Sequence, residues 1–235
     1  MVIVSFHVAI IPDGNRRWAQ ARGLTFSTGH EAGSKILESL MDTVLKLEID
    51  WFTIWGSSID NVIKRPSVEV NVLNKLYAEG LHRLGEGDFL HTYRIRVRVL
   101  GEWQNYLSTE VQTEAKAVMK VTEGYHDRSL TILLAYDGVR DMVHAINHLV
   151  YIRRQNVNTV VTPQLVKASL ATCDLPDVDL VIRTGGEPHL SAGFLMWEIT
   201  NTQLIFLDKL WPDFTPQDLS EAVSEYHSRM RRFGA

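Results

Sequence analysis

Short glycine-containing segments with cationic side chains follow the apolar runs of this sequence. One reads Pro-Asp-Gly-Asn-Arg-Arg-Trp over residues 12–18, and another reads Arg-Thr-Gly-Gly-Glu-Pro-His-Leu-Ser over residues 183–191. Glycine lets a ligand approach the backbone closely, and arginine makes paired hydrogen bonds to phosphate oxygens. A carboxylate among such cations, Asp13, suits a Mg²⁺ ion that bridges phosphate groups. These segments therefore predict a binding site for a phosphate ester.

Each of these features also has an ordinary structural explanation. Asp-Gly-Asn alone is typical of a turn, and residues 64–66 (Lys-Arg-Pro) are typical of an exposed helix start. His30 could be a capping or core histidine, and His189 could be an exposed loop residue. No Walker P-loop or dinucleotide-binding glycine pattern follows the first apolar run. The functional interpretation depends on all these loops meeting at one edge of one sheet.

Six short apolar runs rich in β-branched residues predict the strands that would position these loops. They are Ser5–Ile11, Trp51–Trp55, Ile95–Leu100, Leu130–Tyr136, Asp179–Ile182 and Gln203–Leu207. Apolar residues at helical spacing predict helices over 31–47, 67–84, around 143–150 and around 219–230. Alternating strands and helices indicate an α/β fold, with a central, mostly parallel six-stranded sheet surrounded by helices. Its ligand site should lie beyond the carboxyl ends of the strands.

Composition limits the class of protein. The chain has 235 residues, of which 45% are hydrophobic, so we expect one folded domain over residues 1–235. No apolar run approaches the roughly 20 residues of a membrane span, and no secretory leader pattern opens the chain, so we expect a cytoplasmic protein. The single cysteine, Cys173, excludes a disulfide framework, and the net charge of −4 argues against a nucleic-acid partner.

Taken together, the motifs resemble the signatures of the cis-prenyltransferases, the family of undecaprenyl diphosphate synthase. The opening stretch ends in Pro-Asp-Gly-Asn-Arg-Arg-Trp, and a Gly-His-x-x-Gly motif follows it. Later segments resemble the family's Arg-Pro-x-x-Glu, Arg-x-Gly-Gly-Glu and terminal Arg-x-Gly motifs. The matching segments are residues 7–18, 29–33, 57–69, 183–197, 210–214 and 231–234. They follow the family's order over nearly the whole chain.

The resemblance implies a fold and a reaction. The family has a hydrophobic tunnel beneath the strand ends and works as a homodimer or heterodimer. We expect a homodimer here, with at most peripheral membrane contact. Family members condense an allylic diphosphate with isopentenyl diphosphate in the presence of Mg²⁺, forming a cis double bond and releasing diphosphate. This chain is therefore expected to be a prenyltransferase of isoprenoid biosynthesis.

The resemblance also implies roles for individual residues. Asp13 would bind Mg²⁺ and assist departure of the diphosphate, and Asn61 would lie near the reacting carbons. Arg232 would reach the site of a neighbouring subunit. The residues implied to bind substrate are Gly14, Asn15, Arg16, Arg17, Trp18, His30, Ser57, Arg65, Arg183, His189, Ser191 and Arg232. The residues expected along the tunnel are Trp55, Leu73 and Tyr77.

The chain departs from the family's pattern at positions that matter for phosphate binding. Arg16 replaces a glycine, and Phe26 stands where an arginine commonly binds diphosphate. His189 replaces a second arginine, and Gln203 replaces a glutamate that often assists Mg²⁺. Trp55 stands where a small residue usually lines the tunnel entrance, which predicts short products.

These departures leave several functions open. Elongation with isopentenyl diphosphate is favoured because Arg183, Ser191 and Arg232 are retained. The alternative acceptors are a second allylic diphosphate, joined irregularly, or a small molecule prenylated on carbon. A non-catalytic partner subunit is a further possibility, against which the retained Asp13 and Asn15 argue. The last possible function is that of a general phosphate-binding regulatory domain.

Overall fold

The computed structural model describes residues 5–229, and its six strands form one parallel sheet. The strands are β1 (His7–Ile11), β2 (Trp51–Trp55), β3 (Ile95–Leu100), β4 (Arg128–Leu133), β5 (Leu180–Arg183) and β6 (Gln203–Phe206). Their order is β3-β4-β2-β1-β5-β6, and every neighbouring pair is parallel. The predicted α/β class and all six predicted strands are confirmed.

Helices alternate with the strands along the chain, as the sequence pattern predicts. Within residues 5–229 they are α1 (Asn15–Gln20), α2 (Phe26–Lys46), α3 (Ile59–Lys64), α4 (Ser67–Glu86), α5 (Asp88–Thr92), α6 (Trp103–Tyr106), α7 (Thr109–Val121), α8 (Gly138–Gln155), α9 (Pro163–Ala168) and α10 (Pro216–Ser228). The Thr215 side chain caps α10, where a hydroxyl before proline signals a helix start. No helix in this part of the chain is both long and apolar enough to cross a bilayer.

The strand order creates a crevice at the carboxyl ends of β1 and β5. From β1 the chain continues to β2 on one side, whereas from the adjacent β5 it continues to β6 on the other side. Ligands of open parallel sheets bind where neighbouring connections diverge in this way. The segment that begins at Asp13 follows β1, and Arg183 ends β5. The topology therefore brings the two segments richest in candidate residues to the same crevice.

Alternation along β2 divides its side chains between two cores. Phe52 and Ile54 belong to the core that α2 and α4 cover, while Trp55 belongs to the core on the opposite face. There the Trp55 ring lies 5.2 Å from the ring of Phe194. Because successive strand residues point to opposite faces, adjacent residues of β2 serve different cores.

Buried polar side chains tie β1 to its neighbours near the amino end of the sheet. The His7 ring is fully buried, with Nδ1 3.1 Å from the carbonyl oxygen of Pro176 and Nε2 2.8 Å from Oγ1 of Thr53. Burial lowers the pKa of His7 to about 4, so the ring is neutral at pH 7. A carbonyl only accepts, so Nδ1 donates to Pro176 and Nε2 accepts from the Thr53 hydroxyl.

Two glycines of α2 allow α1 to approach closely. A Cβ atom at Gly29 would lie 2.2 Å from the carbonyl oxygen of Asn15, and one at Gly33 would lie 2.1 Å from its Oδ1. Any larger residue at these positions would push α1 away from the strand ends. The Gly-His-x-x-Gly motif thus has a packing function, and it carries His30 towards the crevice.

Candidate active site

The centre of the site is an acidic side chain between two arginines. Asp13 accepts a hydrogen bond from Arg183 at 2.9 Å through Oδ2, and its Oδ1 lies 3.2 Å from Nη2 of Arg17. The Arg183 side chain is 6% exposed, whereas the Asp13 side chain is 33% exposed. The carboxylate therefore stays accessible to a ligand while a buried cation fixes its orientation.

Hydrogen bonds between side chains and backbone hold the carboxyl ends of β1 and β5 together. The Asp13 N–H donates to Oγ1 of Thr184 at 2.9 Å, and the Thr184 hydroxyl donates to the Asp13 carbonyl at 2.8 Å. Arg17 donates to the carbonyl of Gly185 at 2.7 Å. Gly185 has φ +93°, and a Cβ there would lie 2.6 Å from Arg17 Nη2. Glycine is thus required both for the backbone conformation and for the close approach of Arg17.

Arg183 also organises the second predicted diphosphate subsite. Its Nη1 donates to the carbonyl oxygen of His189 at 2.7 Å and to Oγ of Ser191 at 3.0 Å. The His189 ring is exposed, and its Nε2 lies 3.3 Å from the Ser191 hydroxyl. One guanidinium thus links Asp13 to both residues of the later motif.

A buried glutamate that the sequence analysis did not select holds three cationic or imidazole groups. Glu69, on α4, accepts a hydrogen bond from Arg16, lies 3.2 Å from Nη1 of Arg65, and lies 3.2 Å from Nε2 of His30. Its side chain is only 3% exposed. The signal available in the sequence was its position four residues after Arg65, at the end of the Arg-Pro-x-x-Glu motif.

The charges of this cluster shift its pKa values. Burial acts to raise the pKa of the Glu69 carboxyl, but the Arg16 hydrogen bond and the Arg65 charge together hold it below its usual value. Burial lowers the pKa of His30, more than the Glu69 hydrogen bond raises it. Glu69 is therefore ionised and His30 neutral at pH 7.

Ser57 and Asn61 help to shape the segment after β2. The Ser57 hydroxyl accepts from the backbone N–H of Ala135 at 3.0 Å, which ties the ends of β2 and β4 together. The side-chain Oδ1 of Asn61 accepts from the backbone N–H of Ser58, and the Ser58 hydroxyl accepts from the backbone N–H of Asn61. This reciprocal cap starts α3 and leaves the Asn61 amide nitrogen as the end that can reach a ligand.

Three adjoining spaces lie at the strand ends. The arginine cleft is lined by Pro12, Asp13, Gly14, Asn15, Arg16, Arg17, His30, Asp60, Asn61, Lys64, Arg65 and Pro66. The polar cavity shares Asp13, Asn15, His30, Asn61 and Arg65 with it and adds Trp55, Ser57, Arg183 and Ser191. The apolar cavity lies between α2 and α4, with Leu37, Met41, Leu73, Tyr77, Leu81 and Leu84 in its walls. The residues that the resemblance assigns to the allylic diphosphate all line the arginine cleft; they are Gly14, Asn15, Arg16, Arg17, His30 and Arg65.

The polar and apolar spaces are continuous. Pro12, Asn15, His30, Gly56 and Leu73 line both the polar cavity and the apolar cavity. Tyr77 lines the apolar cavity, and its hydroxyl donates to the carbonyl of Gly56 at 2.7 Å. A ligand with a charged head and an apolar tail therefore has room for each part.

Two predicted site residues lie elsewhere. Trp55 does not line the apolar cavity, because β2 alternation turns it to the opposite face of the sheet, where it borders only the polar cavity. Trp18, predicted to bind substrate, donates its indole N–H to Asp213 at 2.7 Å and stacks beneath Arg22. It lies outside the linings of the three spaces because α1 turns that side chain towards residues 211–213.

The remaining departures from the family pattern also have defined places. Gln203 begins β6 in register with Leu180, three residues before Arg183, which puts it roughly 10 Å along the strand from the crevice. Phe26 begins α2 and lines neither the arginine cleft nor the polar cavity. Arg232 lies outside the described residues.

Comparison with known proteins decides the family. A family model described as putative undecaprenyl diphosphate synthase matches residues 11–234. The chain belongs to the cis-prenyltransferase family. An isoprenyl transferase of Thermotoga maritima is 37% identical over 97% of this chain and 96% of its own length. As a member of this family, the protein is a prenyl-transferring enzyme.

Two further relatives extend the comparison. An undecaprenyl-diphosphate synthase of Coxiella burnetii, described as specific for farnesyl diphosphate, is 33% identical over 97% of this chain and 95% of its own. The crystal structure of lavandulyl diphosphate synthase from Lavandula x intermedia, in complex with dimethylallyl diphosphate, matches with a TM-score of 0.90. It is 29% identical and covers 97% of this chain and 98% of its own. The cis-prenyltransferase fold thus extends over nearly the whole chain.

A pair of substitutions at Glu69 tests whether this carboxylate positions the cationic groups. Glu69→Ala and Glu69→Gln remove the same charge, but only glutamine keeps an oxygen that can accept the hydrogen bond from Arg16. We expect Glu69→Ala to raise KM for the allylic diphosphate roughly tenfold, or about 1.4 kcal/mol, and Glu69→Gln to raise it much less. Steady-state kinetics measure both values. Equal KM values for the two variants would show that charge alone matters there.

Proposed function

We propose that this enzyme condenses an allylic diphosphate with isopentenyl diphosphate to give a short, cis-configured isoprenyl diphosphate. The proposal depends on the position of Asp13. Its carboxylate is accessible between Arg17 and Arg183, and it lines the polar cavity that opens into the apolar cavity. Such a mouth suits a substrate that carries a diphosphate on an apolar chain. The relatives' descriptions name substrates of this kind.

The two diphosphates would bind on either side of Asp13. The arginine cleft would hold the allylic diphosphate through Arg16, Arg17 and Arg65, and the first-turn N–H groups of α1 would add donors that have no partner within the helix. The polar cavity would hold the acceptor diphosphate through Arg183 and Ser191. The ring of His189, exposed beside Ser191, would add a hydrogen-bonding group at its edge.

The residues around Asp13 fit a magnesium ion that is bound mainly through substrate. No group of three or more acidic, histidine or cysteine side chains suited to a metal occurs in residues 5–229. Mg²⁺ is commonly held by one or two carboxylates together with substrate phosphate oxygens, and Asp13 offers one exposed carboxylate. Bound there, the ion would neutralise charge on the departing diphosphate.

The reaction breaks one bond and forms another. The allylic carbon–oxygen bond breaks, and the diphosphate leaves with the electron pair. The double bond of the acceptor then attacks the allylic carbon, and the proton lost from the adjacent acceptor carbon would pass to an oxygen of the released diphosphate. Arginines fixed beforehand stabilise the negative charge as it develops, without reorganising during the step. Asn61 would orient the acceptor through its amide nitrogen.

The dimensions of the apolar cavity favour a short product. Along α4 its lining runs from Leu73 to Leu84, which is about 16 Å at about 1.5 Å per residue. An isoprene unit, four carbons long, extends roughly 5 Å at carbon–carbon bond lengths near 1.5 Å. About three units would therefore fill the cavity. Trp55 does not limit this length, because it lies on the other face of the sheet.

A second allylic diphosphate is the alternative acceptor. The solved relative with a TM-score of 0.90 binds dimethylallyl diphosphate, which is itself allylic. Next to Ser191 of the polar cavity lies an exposed histidine, His189, where the family pattern has an arginine. Supplying the enzyme with an allylic diphosphate alone, and then with isopentenyl diphosphate added, separates the two acceptors.

We also propose that the enzyme is a homodimer formed through α8. Val139, Val143, Ile146 and Val150 make an apolar stripe along this helix, and each side chain is about half exposed in the single chain. The helical spacing of Val143, Ile146, Leu149 and Val150 predicted this helix, but of these four residues only Leu149 is buried. A stripe of this kind is typical of an interface between subunits.

Other expectations stay predictions from the sequence. They are that residues 1–235 act as one catalytic domain, that the enzyme is cytoplasmic with at most transient membrane contact, and that Arg232 completes a partner's site.

Replacing Asp13 with asparagine tests the central assignment. Asparagine keeps the size of the side chain but removes the negative charge that would bind Mg²⁺. We expect diphosphate release from an allylic diphosphate and isopentenyl diphosphate to fall at least about 100-fold, with unchanged folding. Asp127→Asn, in an exposed ion pair with Arg94, is the matched control and should stay fully active. Substantial turnover by Asp13→Asn would refute the assignment.

Filling the apolar cavity tests its use by the prenyl chain. Gly80 lines the cavity, and a Cβ there would meet nothing within 4 Å. We expect Gly80→Leu to shorten the longest product by at least one isoprene unit, as measured by mass spectrometry. Leucine favours helix over glycine by up to about 1 kcal/mol, so the variant should unfold at the same or a higher temperature. A product distribution that does not change would place the chain elsewhere.

A charge on the α8 stripe tests the proposed dimer. We expect Ile146→Glu to give particles of the chain mass, 26.7 kDa, and the parent protein to give particles of twice that mass, measured by light scattering. His148→Glu adds a charge to another exposed side of the same helix and should stay dimeric. If Ile146→Glu is also dimeric, the interface lies on another surface.

A further inference from the structure

A charged groove on the surface lies directly outside the apolar cavity. This side groove runs between α2 and α4 and is lined by Ser27, Glu31, Ser34, Lys35, Glu38, Val72, Lys75, Leu76, Glu79 and Arg83. Ser34, Glu38 and Leu76 also line the apolar cavity. The wall between the cavity and the groove is therefore one side chain thick at these three positions.

One ion pair crosses the groove over its deeper part. Oε1 of Glu38 on α2 accepts a hydrogen bond from Nε of Arg83 on α4, at 2.9 Å. Both side chains are about half exposed. Lys75 and Glu79, which line the same groove, lie 3.8 Å apart on α4 and do not bridge the helices. Of these two ion pairs, the Glu38–Arg83 pair therefore joins α2 to α4 across the groove.

The pair lies where the tail of a growing chain would arrive. Glu38 follows His30 on α2 by eight residues, which places it about 12 Å from the mouth at about 1.5 Å per residue. New units join at the diphosphate end, so each addition moves the tail roughly 5 Å deeper, given carbon–carbon bonds near 1.5 Å. After two or three additions the tail would reach the level of Glu38.

We propose that Glu38 and Arg83 limit the length of the product by closing the side of the tunnel with a charged pair. The proposal rests on the function proposed above. An apolar tail that passed between the helices would separate the two charges or remove water from them, and both are unfavourable. The tail would therefore stay within the cavity, and elongation would stop when the cavity is full.

Replacing both charges with leucine tests the proposal. Glu38→Leu/Arg83→Leu leaves no unpaired charge and continues the apolar lining to the surface. We expect its longest product to exceed that of the parent enzyme by at least one isoprene unit, as measured by mass spectrometry with excess isopentenyl diphosphate. The matched control is Lys75→Leu/Glu79→Leu, which removes the ion pair of the same groove that does not border the cavity, and its products should keep the parent length.

The initial rate of diphosphate release separates this proposal from the proposed function. If the parent enzyme releases diphosphate and elongates its starter, but the Glu38/Arg83 variant keeps the same longest product, the length limit is wrong and the function stands. Equal lengthening by the control would also overturn it, because apolarity of the groove would then suffice. If the parent enzyme does not elongate a starter at all, the proposed function itself fails.

A second variant guards against misfolding of the leucine pair. Glu38→Gln/Arg83→Gln keeps polar side chains of similar length while removing both charges. We expect its products to lengthen in the same direction but by less, since the glutamine amides still hold water in the gap. Unchanged product length in this variant, with normal diphosphate release, would count against the charges as the determinant.

Discussion

The site depends on keeping several like charges close together. Unpaired guanidinium groups repel one another, and this repulsion is strongest where water is partly excluded. Two carboxylates offset it: Asp13 contacts two of the arginines and Glu69 contacts the other two. The arginines so held are Arg16, Arg17, Arg65 and Arg183. Their cationic heads can therefore be fixed before a diphosphate arrives, which reduces the reorganisation that binding requires.

The two carboxylates have different functions because they differ in exposure. Asp13 is one-third exposed at the crevice, so a cation can reach it while Arg183 fixes its direction. Glu69 is buried beneath its three partners, where it can only position them. Charge alone would not distinguish these residues. The two residues differ in burial because Asp13 lies on the loop after β1, whereas Glu69 lies in the first turn of α4.

The charged groups and the apolar cavity are supplied by different elements. Strands β1 and β5 end at the crevice and supply the charged groups, whereas α2 and α4 supply the apolar walls. Both helices follow strands that end at the crevice, so both begin there and run away from it. The apolar cavity consequently opens at the diphosphate site and extends along the helices. A substrate with a charged head and a long tail fits that arrangement.

The sequence by itself determined the six strands, the main helices and the edge at which the loops meet, because these follow from local periodicity and from the geometry of parallel sheets. The structure brings the motif residues of the arginine cleft together, and their role in binding substrate stays a prediction. Only the tertiary structure decided which face Trp55 occupies, that Trp18 contacts Asp213, and that Glu38 meets Arg83. These depend on strand register and helix packing between residues far apart in the chain, and no local pattern records such contacts.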